Sequence, residues 1–370
     1  TWEKSYNTNI GIDAAFLNNR IDVSMEYYNT KTKDVIWNKA LPVINGAFSP
    51  DGGPKANYTT NLNMCETSNK GFELALNTRN IITKNFTWSS SVTFNHNKEK
   101  ITKLSGGDSD VLNNGDTGYA LALGEAINSY YHYKLDGVWQ KGEETDAAVF
   151  GAAPGDLKIN IPNLVKESDG RFYKIDEETG SAAVDENGNV IYYTSDNKYT
   201  PSDADYQILG HNSPDWSLGF QNNFTWKDFD LSVFVYARYG QMFAYDMLTS
   251  YDPKGIRNFP TYFNYWTENN PSNDFPAANA NKGLEQYTGY YALRYVDGSF
   301  IKIKNITLGY SLPKSILKSA GIEKCRFYAT ITNPFVFAKS HLLKDYDPEM
   351  NGSLKYPLTK QFVFGVNVTF

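Results

Sequence analysis

The stretch QFVFGVNVTF, residues 361–370, alternates between large apolar side chains and mostly small or polar ones. The apolar set is Phe362, Phe364, Val366, Val368 and Phe370. Successive side chains of a β-strand point to opposite faces, so this period of two predicts a strand with one apolar face. The stretch ends on an aromatic residue, whereas the ends of soluble domains are commonly frayed and polar. The rest of the sequence indicates what this apolar face contacts.

The same period recurs along the whole chain. Three hairpins follow one plan, over residues 5–27, 72–95 and 215–238. The stretch FIKIKNITLGYSL, residues 300–312, switches faces near Lys304, which predicts a β-bulge. PKSILKSAG, which follows it, predicts one or two helical turns with Pro at the start and Gly at the end. One further strand precedes the last one, and it brings the number of predicted strands to nine, with room for two or three more in 98–214.

The lengths of the connections alternate. The short ones are 17–20, 80–85, 227–228 and the small helix at 313–322, and the long ones are about 37–68, 98–214, 240–298 and 334–360. If the strands run up and down in chain order, all short connections lie at one end of the sheet and all long ones at the other. With strands of about ten residues, this is the plan of an all-β, antiparallel transmembrane β-barrel with short periplasmic turns and long extracellular loops.

Aromatic residues support the membrane interpretation, since they make up 15% of the chain and many lie near strand ends on the apolar face. These are Tyr6, Phe16, Tyr27, Trp88, Phe94, Trp216, Trp226, Phe229 and Phe370. A sheet that spans lipid has to close, because every backbone polar group must be paired. The first and last predicted strands run in the same direction and could not pair antiparallel. We therefore expect an incomplete barrel, with missing N-terminal strands that complete it.

Composition argues against several function classes. The net charge of −6 disfavours a nucleic-acid surface. The four histidines are scattered, and Cys65 and Cys325 lack the spacing of a metal site, so we expect no enzyme activity, metal or cofactor. Asp185, Asn187 and Asn189 have the spacing of a calcium loop, but Val190 replaces its glycine, which favours a plain turn. Asp345, Asp347 and Glu349 could form an acid/base pair, although their place in a predicted outer loop disfavours catalysis.

Three groups of residues are the functional candidates. Aromatic side chains of the third long loop suit stacking on sugar rings or contact with a partner protein, and otherwise they pack the loops against each other; they are Tyr245, Tyr251, Tyr262, Tyr265, Trp266, Tyr287, Tyr290 and Tyr291. Inward-facing polar residues predicted to line the lumen include Asp13, Glu26, Glu73, Gln221 and Arg238. In the last strand, Phe362 and Phe364 are expected to face lipid, with Phe370 at the periplasmic interface.

Several stretches, in order from residue 2 to 370, resemble the C-terminal half of SusC-like (SusC/RagA-type) TonB-dependent outer-membrane transporters. They include WEKSYNTNIGIDAAF, NKGFELAL, YYHYKLDGVWQ, PGDLKI, ILGHNSPDWSLGFQNNFTW, YVDGSFIKIKNITLGYSLPKSIL, KDYDPEM and QFVFGVNVTF. A departure from the family pattern is the insertion of about fifty polar residues between PGDLKI and ILGHNSP.

The resemblance implies a barrel of about 22 strands in the bacterial outer membrane, whose plug domain, TonB box and first strands are absent from this sequence. It implies TonB-driven import of glycans or peptides with a SusD-like surface lipoprotein as partner. It also implies that the terminal strand, with Phe362, Phe364 and Phe370, is a signal for membrane assembly. The alternatives are a surface adhesin or glycan-binding β-protein and, less favoured, a secreted β-sandwich glycoside hydrolase.

Overall fold

The structure, a computed structural model, describes residues 2–40, 59–104, 111–113, 119–250, 261–318 and 321–370. Nine antiparallel strands form one sheet, here called the main sheet, in which every strand pairs with its neighbours in chain order. They are β1 (Lys4–Phe16), β2 (Ile21–Ala40), β3 (Thr59–Ile82), β4 (Phe86–Leu104), β5 (Trp216–Trp226), β6 (Phe229–Tyr239), β7 (Phe300–Ser311), β8 (Lys324–Ala338) and β9 (Gln361–Thr369).

The connections between these strands alternate between short and long, as the sequence predicts. Four residues join β1 to β2 and two join β5 to β6, whereas residues 105–215 separate β4 from β5. The strands β2 and β3 extend further than expected, to Ala40 and from Thr59, into the predicted loop 37–68. Their hydrogen-bonded ladder continues past the point where the apolar alternation ends, so alternation alone underestimates strand length.

Two local predictions in the C-terminal part are confirmed. The pairing of β7 with both neighbours shifts at Lys304, which is the predicted bulge. The segment after β7 contains the short helix α1, Lys314–Leu317.

The long connections carry short elements that stay outside the main sheet, so the two or three additional strands allowed for 98–214 do not join it within the described residues. The short strands are Val111–Asn113, Tyr119–Ala122, Ser129–His132, Lys134–Val138, Leu157–Asn160, Leu164–Lys166, Phe172–Lys174, Tyr192–Tyr193, Gln207–His211, Met242–Ala244 and Tyr295–Asp297. The helical turns are Glu144–Val149, Asp203–Asp205, Asp246–Thr249, Leu284–Gln286, Tyr290–Arg294, His341–Leu343 and Pro348–Met350.

Strand register gives the main sheet one continuous apolar face. One row of neighbours near the long-connection end, which we call the upper belt, runs through Ile10, Tyr27, Phe72, His96, Trp216 and Tyr239. A lower belt near the short-connection end includes Trp226, Phe229, Tyr310 and Phe327. Ten residues separate the belts along β5, or about 33 Å, and a tilt of about 40° reduces this to about 25 Å, the height of a lipid-facing band.

The apolar face is uncovered. Phe364 is 82% exposed, Ile10 63% and Leu308 51%, so this sheet does not bury that face in a protein core. Phe370 is also exposed, at 88%. No helix of the described residues is long and apolar enough to cross a membrane. Cys65 and Cys325 are both buried free thiols and do not pair with each other.

The edge strands β1 and β9 each have a single neighbour within the described residues. Gly365 of β9 faces Tyr328 of β8, and a Cβ atom at Gly365 would overlap the tyrosine ring. Gly71 and Tyr28 repeat the arrangement between β3 and β2. The glycine in the terminal stretch therefore makes room for an aromatic ring that lies flat on the polar face.

Candidate functional site

The face of the main sheet opposite the apolar one is polar. Register places Glu26, Glu73, Asn95, Ser217 and Arg238 side by side on five consecutive strands. The two glutamates are direct cross-strand partners, and each carboxylate accepts a hydrogen bond from an asparagine, Asn9 for Glu26 and Asn95, at 3.0 Å, for Glu73.

Asp13 and Gln221 lie on the same face two and four residues nearer the short-connection end. All five residues predicted to line the lumen therefore share one side of the sheet.

The described parts of three long connections fold together and share one hydrophobic core, and we call them the loop assembly: residues 119–215, 240–250 with 261–299, and 339–360. Val138 and Leu157 come from the first segment, and Leu343 comes from the third. The second segment contributes most of the core, including Phe243, Leu248, Phe263, Phe275 and Val296. Phe263 and Phe275 stack with ring centroids 4.2 Å apart.

Four of the eight aromatic candidates belong to this core. Tyr245, Trp266, Tyr287 and Tyr290 are all less than 9% exposed. Trp266 donates its indole N–H to Gln140 at 2.9 Å, and the Tyr287 hydroxyl donates to the carbonyl of Ala277 at 3.1 Å. These four side chains pack the long connections against each other. This packing role is the alternative that the sequence leaves open to contact with a ligand or partner.

The other four candidates are placed differently. Tyr262 is partly buried against the same core. Tyr265 and Tyr291 are 40% and 51% exposed. Tyr251 lies outside the described residues. Tyr265 and Tyr291 therefore present the exposed aromatic surface of this group.

The KDYDPEM segment, residues 344–350, anchors the loop assembly to the main sheet. Lys302 of β7 is fully buried, and its ammonium group lies 2.5 Å from Asp347 and 2.9 Å from Glu349. Lys304, the bulge residue, reaches the other oxygen of Glu349 at 2.6 Å. Asp347 and Glu349 are thus neutralised by lysines from the polar face, which argues against an acid/base pair.

A second set of contacts holds Asn351, the residue directly after this segment, beside β6. Asn351, which has a left-handed backbone with φ 50°, accepts hydrogen bonds from Arg238 and Gln241. Arg238 donates to the Tyr236 hydroxyl at 2.7 Å, and Lys304 lies over the ring of Tyr236. Tyr236, an aromatic residue on the polar face, therefore packs between two cations.

Burial alone would raise the pKa of Glu349, but its contacts with Lys304 and Lys302 outweigh that effect and lower the pKa below its ordinary value of 4.5. Burial raises the pKa of the nearby Tyr346 hydroxyl to about 12. Glu349 is therefore an ionised carboxylate next to the neutral phenol of Tyr346 across the physiological pH range.

The PGD turn within PGDLKI has a structural role. Gly155 has φ +95°, and a side chain there would meet Trp266 and Ala277. Asp156 accepts a hydrogen bond from the backbone of Ala153 and pairs with Lys282 at 2.5 Å. This turn links the first and second segments of the loop assembly.

The polar insertion folds around a buried charge. Asp205 is fully buried, and its carboxylate accepts from Lys174 and from the Tyr199 hydroxyl, each at 2.6 Å. The predicted turn at 185–189 is also present, with Asp185 accepting from the backbone N–H groups of Asn187 and Asn189 at 2.9 Å. No group of metal-ligating side chains occurs within the described part of the chain.

A cavity of about 490 Å³ lies between β8 and residues 344–360. Tyr245 and Tyr346 line one side of it, with ring centroids 4.4 Å apart. Sequence reasoning did not identify this cavity or the role of Lys302. The available signal was a pair of lysines, Lys302 and Lys304, on one predicted strand together with an acidic segment in the following long connection.

Comparison with known proteins agrees with this architecture. A family model described as "TonB dependent receptor-like, beta-barrel" matches residues 1–153. The chain is 28% identical to TonB-dependent receptor P3 of Formosa agariphila over 391 residues, covering 100% of this chain and 34% of that receptor. It is 27% identical to TonB-dependent receptor SusC of Bacteroides thetaiotaomicron, covering 100% of this chain and 32% of that receptor.

The solved structure of the RagAB peptide transporter matches with a TM-score of 0.70 and 25% identity, covering 100% of this chain and 36% of that chain. The chain thus spans about a third of the length of the curated relatives it matches. These relatives are named receptors and transporters, in agreement with the prediction that the chain is not an enzyme. Residues 1–153 thus match the TonB-dependent receptor-like β-barrel family, and the whole chain is similar to TonB-dependent receptors, SusC among them, and to the RagAB structure.

Proposed function

We propose that this chain forms part of the barrel of an outer-membrane importer that takes up oligosaccharides or peptides with energy from TonB. The observation that carries the proposal is the division of the main sheet into an apolar and a polar face, with the loop assembly folded at one end. An apolar outer face suits lipid, and a polar inner face suits a water-filled path.

The proposed orientation places the long-connection end at the cell surface and the short connections in the periplasm. A SusD-like lipoprotein would then cap the loop assembly from outside. The RagAB structure, described as a peptide transporter, supports a two-component arrangement. The proposal includes both peptide and oligosaccharide cargo, since the chain is also similar to SusC and to TonB-dependent receptor P3, whose names state no cargo.

Cargo would pass along the polar face, past the row of Glu26, Glu73 and Arg238, with Asp13 and Gln221 below it. Tyr265 and Tyr291 are the proposed contacts with cargo or partner, because their rings are exposed. In the terminal strand, Phe362, Phe364 and Phe370 are the proposed assembly signal. The edges of β1 and β9 would pair with further strands of a closed barrel.

The test is uptake by the producing bacterium. Deletion of the gene should abolish growth on the cargo and entry of a fluorescent oligosaccharide or peptide, and a protonophore should mimic the deletion. Complementation with Tyr265→Ala/Tyr291→Ala should lower uptake, whereas the matched Tyr6→Ala on the apolar face should restore it fully. Unchanged uptake of every oligosaccharide and peptide tested after deletion would overturn the proposal.

A further inference from the structure

A compact patch of lysines lies on the apolar side of the main sheet. Its members are Lys31 and Lys33 of β2, Lys70 of β3, and Lys98 and Lys100 of β4, and we call it the lysine patch. All five side chains are exposed. They surround an outward-facing groove of about 790 Å³, whose floor includes Tyr27, Phe72 and His96 of the upper belt.

Register fixes the position of the lysine patch relative to the upper belt. Lys70 and Lys98 are direct cross-strand partners, two residues or about 7 Å beyond Phe72 and His96. Lys31 and Lys100 both pair with Ser68, two residues further on. The patch therefore begins where the proposed lipid-facing band ends, toward the long connections.

The charge of the patch is not balanced within the described residues. Glu66 is the one carboxylate among the lining residues of the groove, and its ion pair is with Lys103, while Asp34 pairs with Lys4. No carboxylate of the described residues forms an ion pair with any of the five lysines. Like charges placed directly opposite each other destabilise a sheet. A chain of net charge −6 nevertheless places Lys70 opposite Lys98, which points to an anion outside the chain.

We propose that the lysine patch binds the phosphate groups of a phosphorylated glycolipid in the membrane leaflet at the long-connection end. The acyl chains of such a lipid would lie against the apolar face, and its phosphates would reach the ammonium groups just beyond the upper belt. Basic clusters at this depth recognise anionic headgroups. The inference rests on the orientation proposed above, in which that leaflet is the outer one.

Position favours a lipid over a protein as the source of the anion. The groove is continuous with the apolar face, whereas the loop assembly and the polar face, where a partner or cargo would bind, lie on the other side of the sheet. A soluble anion would not require an adjoining floor of aromatic side chains.

The experiment measures binding of lipid A to the purified full-length receptor in detergent. Lys70→Gln/Lys98→Gln/Lys100→Gln should weaken the apparent Kd for phosphorylated lipid A about tenfold or more. The matched control, Lys84→Gln/Lys314→Gln/Lys318→Gln, removes three exposed charges at the short-connection end and should change it less than twofold. The corresponding triple arginine variant should keep the wild-type affinity.

Three outcomes would overturn the proposal: equal binding by the glutamine variant, equal binding of chemically dephosphorylated lipid A, or displacement of lipid A by equimolar inorganic phosphate. Loss of an acidic protein partner in the glutamine variant, with lipid A affinity unchanged, would assign the patch to a protein instead. Uptake is measured separately, so a failure of the import proposal leaves the binding result intact, and the reverse also holds.

Discussion

The main sheet and the loop assembly place their apolar side chains in opposite ways. The sheet leaves Phe364 82% exposed and Ile10 63% exposed, while the loop assembly buries Phe243 and Phe275 to 2% exposure or less. The loop assembly follows the rule of a soluble domain, with its apolar residues inside. The sheet breaks that rule, and the proposed contact of its outer face with lipid accounts for the difference. The two regions meet on the polar face, where Lys302 and Lys304 bind Asp347 and Glu349.

The largest expected effect is on the contact that holds the loop assembly to the main sheet. Lys302→Ala leaves Asp347 and Glu349 without their buried cation, so we expect a loss of about 3–5 kcal/mol of stability. Residues 339–360 should become sensitive to protease, as measured by limited proteolysis of the detergent-solubilised receptor. Lys339→Ala, which removes a half-exposed ion pair with Asp297, should cost less than about 1 kcal/mol. Equal protease resistance of the Lys302 variant would show that the anchor is dispensable.

The second effect tests the lipid contact of the apolar face. Ile306 pairs with Val233 and Ile331 midway between the two belts. Ile306→Arg should lower the free energy of unfolding in lipid vesicles by about 2–4 kcal/mol, the cost of arginine at the bilayer midplane. The neighbouring Asn305→Arg faces the polar side and should have little effect. Similar costs for both variants would contradict the assignment of the two faces.

The third effect is a pH dependence of the anchor. The pKa of Glu349 is lowered in the folded state, so its stabilisation is fully present above its ordinary pKa of 4.5 and is lost as the pH falls through the lowered value. Glu349→Gln should cost about 1–2 kcal/mol near neutral pH. Melting temperatures of wild type and variant should converge as the pH drops below 4.5. A constant difference down to pH 3 would exclude this ionisation as the cause.

The smallest effect concerns the terminal strand. Gly365→Ala places a methyl group against the ring of Tyr328, which has to move, so we expect a loss of about 1 kcal/mol. In the Tyr328→Ser background the same change should cost almost nothing. A double-mutant cycle in refolding experiments measures the coupling energy between Gly365 and Tyr328. Full additivity of the two changes in the free energy of unfolding would show that the position of the Tyr328 ring does not require a glycine at 365.

Most of the main sheet follows from local sequence. Alternation such as that of Phe362, Phe364 and Val366 sets the two faces, and the spacing of turns sets the up-and-down order. The bulge at Lys304 is visible as a switch of the apolar positions. Strand ends such as Ala40 and Thr59 are not visible, because the ladder continues past the point where the apolar alternation ends.

The sequence by itself determined the strand pattern, the two faces and the family resemblance, since a period of two is a property of neighbouring residues. Tertiary structure decided which aromatic residues are buried and which acids are neutralised. Trp266 meets Gln140 across 126 positions of sequence, and Lys302 meets Asp347 across 45. Such contacts arise when separate segments fold against one sheet, and no local pattern encodes which segments meet.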